Sequence, residues 1–318
     1  MIAGSGAMGC RYGAALFEAG HEVVLLDGWA EHVTAINTGG LRVTDESGTR
    51  TVPVPAALFP APDDPFDLVI VFTKATATAA VAANAAGAIG PSTLLLTLQN
   101  GLGNVEALGA HAPAGRLLAG VSMLGTELVG PGHITALGSG ETLFGAVAPE
   151  GAADAARVGA ALADAGLVTQ VTEDPFAVIW GKVAFNCVMN TSCAIASIPV
   201  SALAGYDEFD ALAGSILDEI EAVAAAEGVT VDKGAALRVM RAQFDPAASG
   251  SHLASMLQDL MNGRPTEIAH LNGAVAARAA KHGIDAPVNT LVTRIVTLLE
   301  STWPHRVSSL HTDSHHRA

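Results

Sequence analysis

Cysteine is rare in this sequence, and its few positions argue against two common kinds of site. The 318 residues include three cysteines, Cys10, Cys187 and Cys193. An odd number at such wide spacing favours neither a disulfide framework nor a metal site, so we expect no bound metal. Cys187 and Cys193 lie in an apolar, helix-like stretch and are expected to pack in a core. Unpaired cysteines are typical of a reducing compartment, which predicts a cytoplasmic protein.

Basic residues are also few. Lysine and arginine total 16 against 31 aspartates and glutamates, so the net charge is −15. This balance argues against a nucleic-acid partner, because phosphate backbones require lysine and arginine. A membrane span is not expected, because the longest candidate, residues 79–98, is interrupted by Gly87, Gly90 and Pro91. A signal peptide is not expected either, because a glycine motif begins at residue 4.

Aromatic residues make up only 4% of the chain, whereas half of it is hydrophobic. The length suits two domains, and the first half alternates apolar strands with helices. This alternation predicts a Rossmann-type parallel sheet covered by helices on both faces, an α/β fold. The predicted helices are 9–19, 30–37, 76–89 and 152–165. The predicted strands are 1–3, 21–27, 67–73, 93–98, 117–124, 132–136, 142–145 and 168–171, with a hairpin over 41–54.

The pattern changes after residues 174–175, where strand signals almost vanish. Helices are predicted at about 175–196, 207–227, 232–244, 252–262, 266–282 and 287–301. We therefore predict a dinucleotide-binding domain over 1–173 and an all-α helical domain over 174–303. The polar segment 304–318 is predicted to be a disordered tail, with metal binding by its histidines as the alternative.

A G-x-G-x-x-G motif follows the first strand and opens the first helix. Its residues are Gly4, Ser5, Gly6, Ala7, Met8 and Gly9. Gly4 permits a tight turn, Gly6 admits a pyrophosphate, and Gly9 allows helix and strand to pack closely. The strand before the motif has three residues, so either it is unusually short or the true start lies upstream. The context predicts dinucleotide binding rather than a purely structural turn.

Two charged residues end neighbouring predicted strands. Asp27 is expected to bond a ribose 2′-hydroxyl, as acidic residues at this position do in NAD-binding proteins. The alternative is a turn-forming aspartate before Gly28. Lys74 is expected to point into the cofactor cleft and to bind a phosphate or ribose. Its alternative is a solvated surface lysine.

A predicted helix carries three polar residues on one otherwise apolar stripe. Lys182, Asn186 and Asn190 are spaced four residues apart, which aligns them along one helix face. Buried polar groups without partners are costly, and a substrate cleft would explain them. The alternative is a snorkelling lysine with two structural asparagines. Glu267, at a predicted helix start, is expected to hold the reacting oxygen or to orient Lys182. The alternative is a carboxylate that only stabilises the helix dipole.

The chain resembles the ketopantoate reductase family over about residues 1–300. The resemblance is carried by the glycine motif and four further segments. These are Thr73-Lys74-Ala75, Gln99-Asn100-Gly101-Leu102-Gly103, Trp180-Gly181-Lys182-Val183-Ala184-Phe185-Asn186-Cys187-Val188-Met189-Asn190, and Ser255-Met256-Leu257-Gln258-Asp259 followed by Gly263-Arg264-Pro265-Thr266-Glu267.

The resemblance implies NADPH-dependent reduction of ketopantoate to (R)-pantoate, in the biosynthesis of pantothenate and coenzyme A. It implies Lys182 as the general acid, Glu267 at the substrate oxygen, and Asn100, Asn186, Asn190 and Ser255 at substrate or cofactor. It further implies an active site between the two domains and, in some members, a homodimer.

Two departures from the family pattern favour a rival reading. Asp27-Gly28-Trp29 stands where many members carry an arginine for the 2′-phosphate, which favours NADH. Residues 198–200 are apolar where other members have a further substrate-binding asparagine. The rival is an NAD-dependent D-2-hydroxy-acid dehydrogenase that uses another 2-keto acid. A non-catalytic dinucleotide sensor is a third reading, but it would not need Lys182 and Glu267.

Overall fold

A computed structural model describes residues 1–245 and 253–305 of the chain. The chain divides into two compact units. The first comprises residues 1–184 and 221–232, and the second comprises residues 185–220 and the described residues from 233 onward. Most of the predicted tail, residues 306–318, lies outside the described residues. The boundary predicted near residue 173 stays a prediction, and the division of the units falls within two long helices.

Twelve strands of the described residues belong to the first unit. In chain order they are β1 (Ile2–Ala3), β2 (Leu25–Asp27), β3 (Leu41–Asp45), β4 (Gly48–Val52), β5 (Ala56–Leu58), β6 (Leu68–Val71), β7 (Leu94–Thr97), β8 (Leu117–Ser122), β9 (Gly125–Gly130), β10 (His133–Leu137), β11 (Thr142–Ala146) and β12 (Thr169–Val171). Eight of them form the main sheet in the order β12-β11-β8-β7-β6-β1-β2-β5. The Rossmann-type sheet predicted from the alternating pattern is thereby confirmed.

The centre of the main sheet is apolar because helices cover both of its faces. Strands β6 and β7 read Leu-Val-Ile-Val and Leu-Leu-Leu-Thr, as expected of parallel strands buried on both sides. The helices of the first half are α1 (Ala7–Glu18), α2 (Ala30–Gly39), α3 (Thr78–Asn84), α4 (Asn104–Gly109) and α5 (Ala152–Asp164). Helix α3 is shorter than the predicted 76–89, because 3-10 turns at Ala75–Ala77 and Ala86–Ala88 flank it.

The sheet is not parallel throughout, since β11 pairs antiparallel with β8. A second, four-stranded sheet in the order β4-β3-β10-β9 contains the predicted hairpin. Strands β5 and β9 were not predicted from the sequence. Strand β5 has only three residues, and β9 has a Gly at each end and alternates only weakly between buried and exposed side chains.

The second half of the chain is helical, as predicted. Its helices are α6 (Pro175–Ala196), α7 (Phe209–Ala226), α8 (Lys233–Ala242), α9 (Ser255–Met261), α10 (Asn272–His282) and α11 (Pro287–Thr302). The helix predicted from residue 266 begins only at Asn272. Leu271 has φ −106° and ψ −110°, outside the helical region, so the preceding 3-10 turn cannot continue into α10. No helix in the described ranges is long and apolar enough to cross a membrane.

Candidate active site

The glycine loop joins β1 to α1, and each of its glycines has different surroundings. Gly4 has a φ of 96°, and a Cβ there would lie 2.7 Å from the backbone nitrogen of Thr73. A Cβ on Gly9 would lie 2.0 Å from the carbonyl oxygen of Gly4. Gly6, by contrast, has a φ of −63°, and a Cβ there would meet no protein atom within 4 Å. The fold therefore requires Gly4 and Gly9, whereas the space beside Gly6 is open to a ligand.

The start of α1 suits an anion. Gly6 is the N-cap, and no side chain of the described residues accepts a hydrogen bond from the first turn that Ala7 and Met8 begin. Unpaired N–H groups and the helix dipole make such a terminus a site for phosphate groups. Together with the open space beside Gly6, these residues fit the pyrophosphate of a nicotinamide dinucleotide.

Asp27 ends β2 and is hydrogen-bonded to the glycine loop. Its Oδ2 accepts from the backbone N–H of Ser5 at 2.8 Å and from the Ser5 hydroxyl at 3.2 Å. Its Oδ1 accepts from the backbone N–H of Trp29 at 3.0 Å. Asp27 therefore forms a local turn and also borders the loop. Among the described residues, no lysine or arginine forms an ion pair with Asp27.

The carboxyl ends of five neighbouring parallel strands lie along one edge of the main sheet. In the spatial order β2, β1, β6, β7, β8, these ends carry Asp27, the glycine loop, Thr73-Lys74, Gln99-Asn100 and Ser122. Ligands of open α/β sheets bind at this edge. Three strand intervals separate β1 from β8, a distance of about 14 Å.

A buried polar network joins the loops after β6 and β7. The Gln99 amide nitrogen donates to the Thr73 carbonyl at 2.7 Å and to the Thr78 hydroxyl at 2.8 Å. The Thr78 hydroxyl donates to the Asn104 side chain at 2.8 Å, and Asn104 donates to the Asn100 carbonyl at 3.1 Å. This network, which was not predicted from the sequence, holds the segments that follow β6 and β7 side by side.

Lys182 reaches the same edge from α6. Its ammonium donates to the carbonyl oxygen of Ser122, the last residue of β8, at 2.5 Å. The lysine is partly buried. The first unit therefore brings together five features predicted from the sequence. These are the glycine loop, Asp27, Lys74, Asn100 and Lys182.

Further along α6, Asn186 and Asn190 are buried, with 6% and 8% of their surfaces exposed. The Asn190 amide donates to the Ser255 hydroxyl at 3.3 Å, so these two predicted residues meet in the second unit. The side chain of Asn186 makes no hydrogen bond within the described part of the chain. The amide atoms of Asn186 are not among the fully buried polar atoms that lack a partner, so they are accessible to a ligand.

Glu267 does not start a helix, contrary to the sequence-based prediction. It precedes the 3-10 turn Ile268–His270, and its carbonyl accepts from the backbone N–H of His270 at 2.9 Å. Glu267 occupies the N-cap position without a capping bond from its side chain, and the Thr266 hydroxyl accepts from the N–H of Ile268 at 3.2 Å. A turn of three residues has little dipole, which weakens the helix-dipole explanation of the Glu267 carboxylate.

The cysteines predicted to pack in a core do so, since Cys187 and Cys193 are both fully buried. Cys10 is buried beside the glycine loop, and its thiol donates to the Ser5 carbonyl at 2.9 Å. Burial raises the pKa of all three thiols. Within residues 1–245 and 253–305, no cluster of three or more histidine, cysteine or acidic side chains could hold a metal ion.

His32 links the loop region to the second sheet. Its Nδ1 accepts from the backbone N–H of Gly132 at 3.0 Å, so the proton of the neutral ring lies on Nε2, 3.4 Å from the Cys10 sulfur. Burial lowers the pKa of His32 below its ordinary value of 6.5. Protonation would add a charge in the core and remove the acceptor for Gly132.

The stability of the protein is therefore expected to fall in mild acid. Because the folded-state pKa of His32 is lowered, the unfolded chain takes up this proton first. The contribution is fully present above pH 6.5 and is lost as the pH falls from there toward the folded pKa. Urea unfolding between pH 8 and pH 5 should show a smaller loss in His32→Gln, whose amide can accept from Gly132 without titrating. Equal losses in the two proteins would exclude His32 as a source.

Comparison with family models gives matches over most of the chain. The model described as "Ketopantoate reductase PanE/ApbA" matches residues 1–149, and "Ketopantoate reductase PanE/ApbA C terminal" matches residues 176–300. Among curated proteins, the 2-dehydropantoate 2-reductase of Halobacterium salinarum is 36% identical over 301 residues. That alignment covers 94% of this chain and 98% of the relative.

Solved structures with the same fold include two different enzymes. D-mandelate dehydrogenase in a ternary complex with NADH and anilino(oxo)acetate has a TM-score of 0.92 and 31% identity, covering 95% of this chain and 98% of that one. A PanE/ApbA family ketopantoate reductase from Ralstonia eutropha has a TM-score of 0.85 and 33% identity, covering 96% and 99%.

Proposed function

Since this chain belongs to the ketopantoate reductase family of NAD(P)-dependent oxidoreductases, we propose that it is a 2-dehydropantoate 2-reductase. It would reduce the 2-keto group of ketopantoate to give (R)-pantoate, a step in the biosynthesis of pantothenate and coenzyme A. One observation carries the proposal. The ammonium of Lys182 lies at the sheet edge that also carries the glycine loop, where the acid of a carbonyl reduction is needed.

The dinucleotide would be held by the glycine loop, Asp27, Lys74 and Asn100. The loop residues are Gly4, Ser5, Gly6, Ala7, Met8 and Gly9. The backbone N–H groups at the start of α1 would bind the pyrophosphate, and Lys74 would neutralise a phosphate or bond a ribose. When bound, the nicotinamide supplies the hydride that the keto carbon receives.

Lys182 would act as the general acid. Negative charge develops on the carbonyl oxygen as the carbon is reduced, and a neighbouring ammonium stabilises that charge. Lys182 Nζ would then donate its proton to the oxygen, which becomes the hydroxyl of the product. Until then the Ser122 carbonyl accepts a hydrogen bond from the ammonium and so holds it at the sheet edge.

The substrate would be held by neutral amides and hydroxyls. Asn186 offers a side-chain amide four residues beyond Lys182 on α6, and the pair Asn190 and Ser255 offers an amide and a hydroxyl. Such groups bind a carboxylate or hydroxyl without adding a charge of their own. We also assign Glu267 to the substrate oxygen, because it lies in residues 176–300, the part of the chain that matches the C-terminal model of the ketopantoate reductase family.

We also propose that the enzyme prefers NADH to NADPH. The Asp27 carboxylate borders the glycine loop at the end of β2, where a 2′-phosphate would meet negative charge. Glu31 adds a second carboxylate nearby, bonded to the indole N–H of Trp29 at 2.6 Å.

Replacing Asp27 with alanine is expected to raise the ratio of kcat/KM with NADPH to kcat/KM with NADH by about tenfold, because about 1.4 kcal/mol of charge repulsion is removed. The ratio is an internal control, since any loss of folded protein lowers both rates equally. Asp45→Ala, at a carboxylate of the second sheet, should leave the ratio unchanged. An unchanged ratio in Asp27→Ala would remove this residue from the ribose site.

The second candidate is a D-2-hydroxy-acid dehydrogenase acting on a bulkier 2-keto acid. It is favoured by the Asp27 contacts and by the apolar residues 198–200. Steady-state rates with ketopantoate, 2-ketoisovalerate and phenylglyoxylate, each with NADH and NADPH, decide between the two. A higher kcat/KM for phenylglyoxylate than for ketopantoate would overturn the first assignment. The cytoplasmic location and the homodimer stay predictions, and light scattering of the purified protein tests the latter.

A further inference from the structure

We propose that Tyr12 positions the acid Lys182, acting through the hydroxyls of Ser122 and Thr142 and the main-chain carbonyl of Ser122. This inference rests on the proposed function, because it assigns Lys182 the role of acid. It concerns a residue of the helix that begins at the glycine loop, far from Lys182 in sequence.

Three hydroxyl side chains meet inside the first unit. The Tyr12 hydroxyl donates to the Ser122 hydroxyl at 2.9 Å and lies in close contact with the Thr142 hydroxyl. Since the single proton of Tyr12 is used on Ser122, Thr142 is the donor in the second contact. Tyr12 and Thr142 are fully buried, and Ser122 is 5% exposed. Burial raises the pKa of Tyr12, which therefore stays protonated and donating.

The cluster fixes the end of a strand at the residue that holds Lys182. Ser122 and Thr142 are directly opposite partners in the antiparallel pair of β8 and β11. The side chain of Ser122 is held by Tyr12, while its carbonyl accepts from the Lys182 ammonium at 2.5 Å. Because both groups belong to one residue, the hydroxyl bond restricts the direction in which the carbonyl points.

Packing alone does not explain a tyrosine at position 12. Its ring contacts Phe72, with centroids 4.6 Å apart, and a phenylalanine would keep that contact. The hydroxyl adds a buried polar group that is costly unless it is bonded. If the Tyr12 hydroxyl only stabilised the fold, its removal would lower stability and nothing else. If it also directs the Ser122 carbonyl, its removal would change the protonation of Lys182 as well.

The geometry also couples the two ends of the site. Helix α1 begins at Ala7, directly after the glycine loop, and carries Tyr12 in its second turn. The same rigid helix therefore presents its N-terminus to the cofactor and its tyrosine to the strand end that holds the acid. A shift of α1 would displace both together, so the position of Lys182 relative to the dinucleotide would be preserved.

The test compares Tyr12→Phe and Thr142→Val with the control Thr93→Val. Thr93 is as buried as Thr142, and its hydroxyl bonds Phe66 and Gly90 at the opposite end of the sheet. We expect kcat to fall by about tenfold in the first two variants, a fraction of what a general acid contributes, with the KM for NADH within about twofold of wild type. Thr93→Val should lose stability but keep kcat.

The pH profile separates positioning from folding. Reduction requires protonated Lys182, so the rate declines at alkaline pH. A misdirected Ser122 carbonyl stabilises the ammonium less, so the alkaline limb of kcat should move to lower pH in Tyr12→Phe and Thr142→Val. A loss of folded protein would lower the whole profile without moving it. Thr142→Val serves as the test if Tyr12→Phe does not fold.

A second readout does not depend on turnover. The extent of acetylation of Lys182 by acetic anhydride, measured by mass spectrometry across pH, should rise at lower pH in both variants than in wild type and in Thr93→Val. If wild type reduces none of the three 2-keto acids, the proposed function fails, and the acetylation profile still decides the positioning role. Profiles of Tyr12→Phe and Thr142→Val that coincide with that of Thr93→Val would overturn the inference.

Discussion

Replacing Lys182 with alanine is expected to reduce kcat by about 10³-fold, equivalent to about 4 kcal/mol of transition-state stabilisation. The variant loses both the charge that stabilises the developing oxyanion and the proton that completes the hydroxyl. NADH should still bind, because Asp27 is bonded to Ser5 of the glycine loop, whereas the Lys182 ammonium bonds the end of β8. Stopped-flow reduction and a fluorescence titration of NADH measure the two properties separately.

Two further variants complete that experiment. Lys281→Ala removes an exposed lysine from the last turn of α10 and should leave both kcat and NADH affinity unchanged. Lys182→Arg keeps the charge but cannot donate its proton readily, so it should recover binding of the keto acid more than turnover. Turnover of Lys182→Ala near the wild-type value would refute the general-acid mechanism.

The main features of the fold followed from periodicity. Strands β6 and β7 are continuous apolar runs, and α6 was predicted with its observed bounds, 175–196. The predictions of strands failed where the local sequence pattern is weak, or where pairing with residues distant in sequence determines the structure. Strand β5 exists because β2 offers it an edge, and β11 is antiparallel because the chain returns beside β8 through the second sheet.

Residues of the candidate site could be predicted where the type of residue at a position itself indicates a function. The glycine loop, Asp27 and Lys182 stand out in the sequence because glycine spacing, an acid at a strand end and a polar stripe each have a chemical reason. Ser122 and Tyr12 do not stand out. The acceptor for Lys182 is a main-chain carbonyl, which every residue possesses, and only the crossing of α6 with the end of β8 identifies it.

Glu267 illustrates the opposite error. An acid after Pro265-Thr266 resembles the first turn of a helix, and the dipole argument then gives it a structural explanation. The structure has a three-residue 3-10 turn there instead, and α10 begins five residues later. The apolar spacing of residues 268–275 is compatible with one helix, so only the backbone angles of Leu271 reveal the break.

The second large effect is expected in the glycine loop. Substitution of Gly6 should mainly weaken NADH binding, whereas substitution of Gly9 should mainly lower stability. Gly6→Val is expected to weaken NADH binding by about 100-fold, or about 2.7 kcal/mol, and to lower stability by less, through the loss of a glycine N-cap. Gly6 has a φ of −63°, which valine adopts, and the apo protein has space for the side chain. That space is what the dinucleotide requires, so the complex is destabilised more than the free protein.

Gly9→Ala should show the reverse order of effects. Its Cβ would lie 2.0 Å from the Gly4 carbonyl oxygen, so α1 must move away from β1, at a cost of about 1–3 kcal/mol in unfolding free energy. Gly39→Ala, at the end of α2 with open space around it, controls for the general effect of a new methyl group. Calorimetry and NADH titration of the three variants measure both quantities. Wild-type NADH affinity in Gly6→Val would mean that the dinucleotide does not approach the loop at Gly6, and the anion site at the start of α1 would then serve some other ligand.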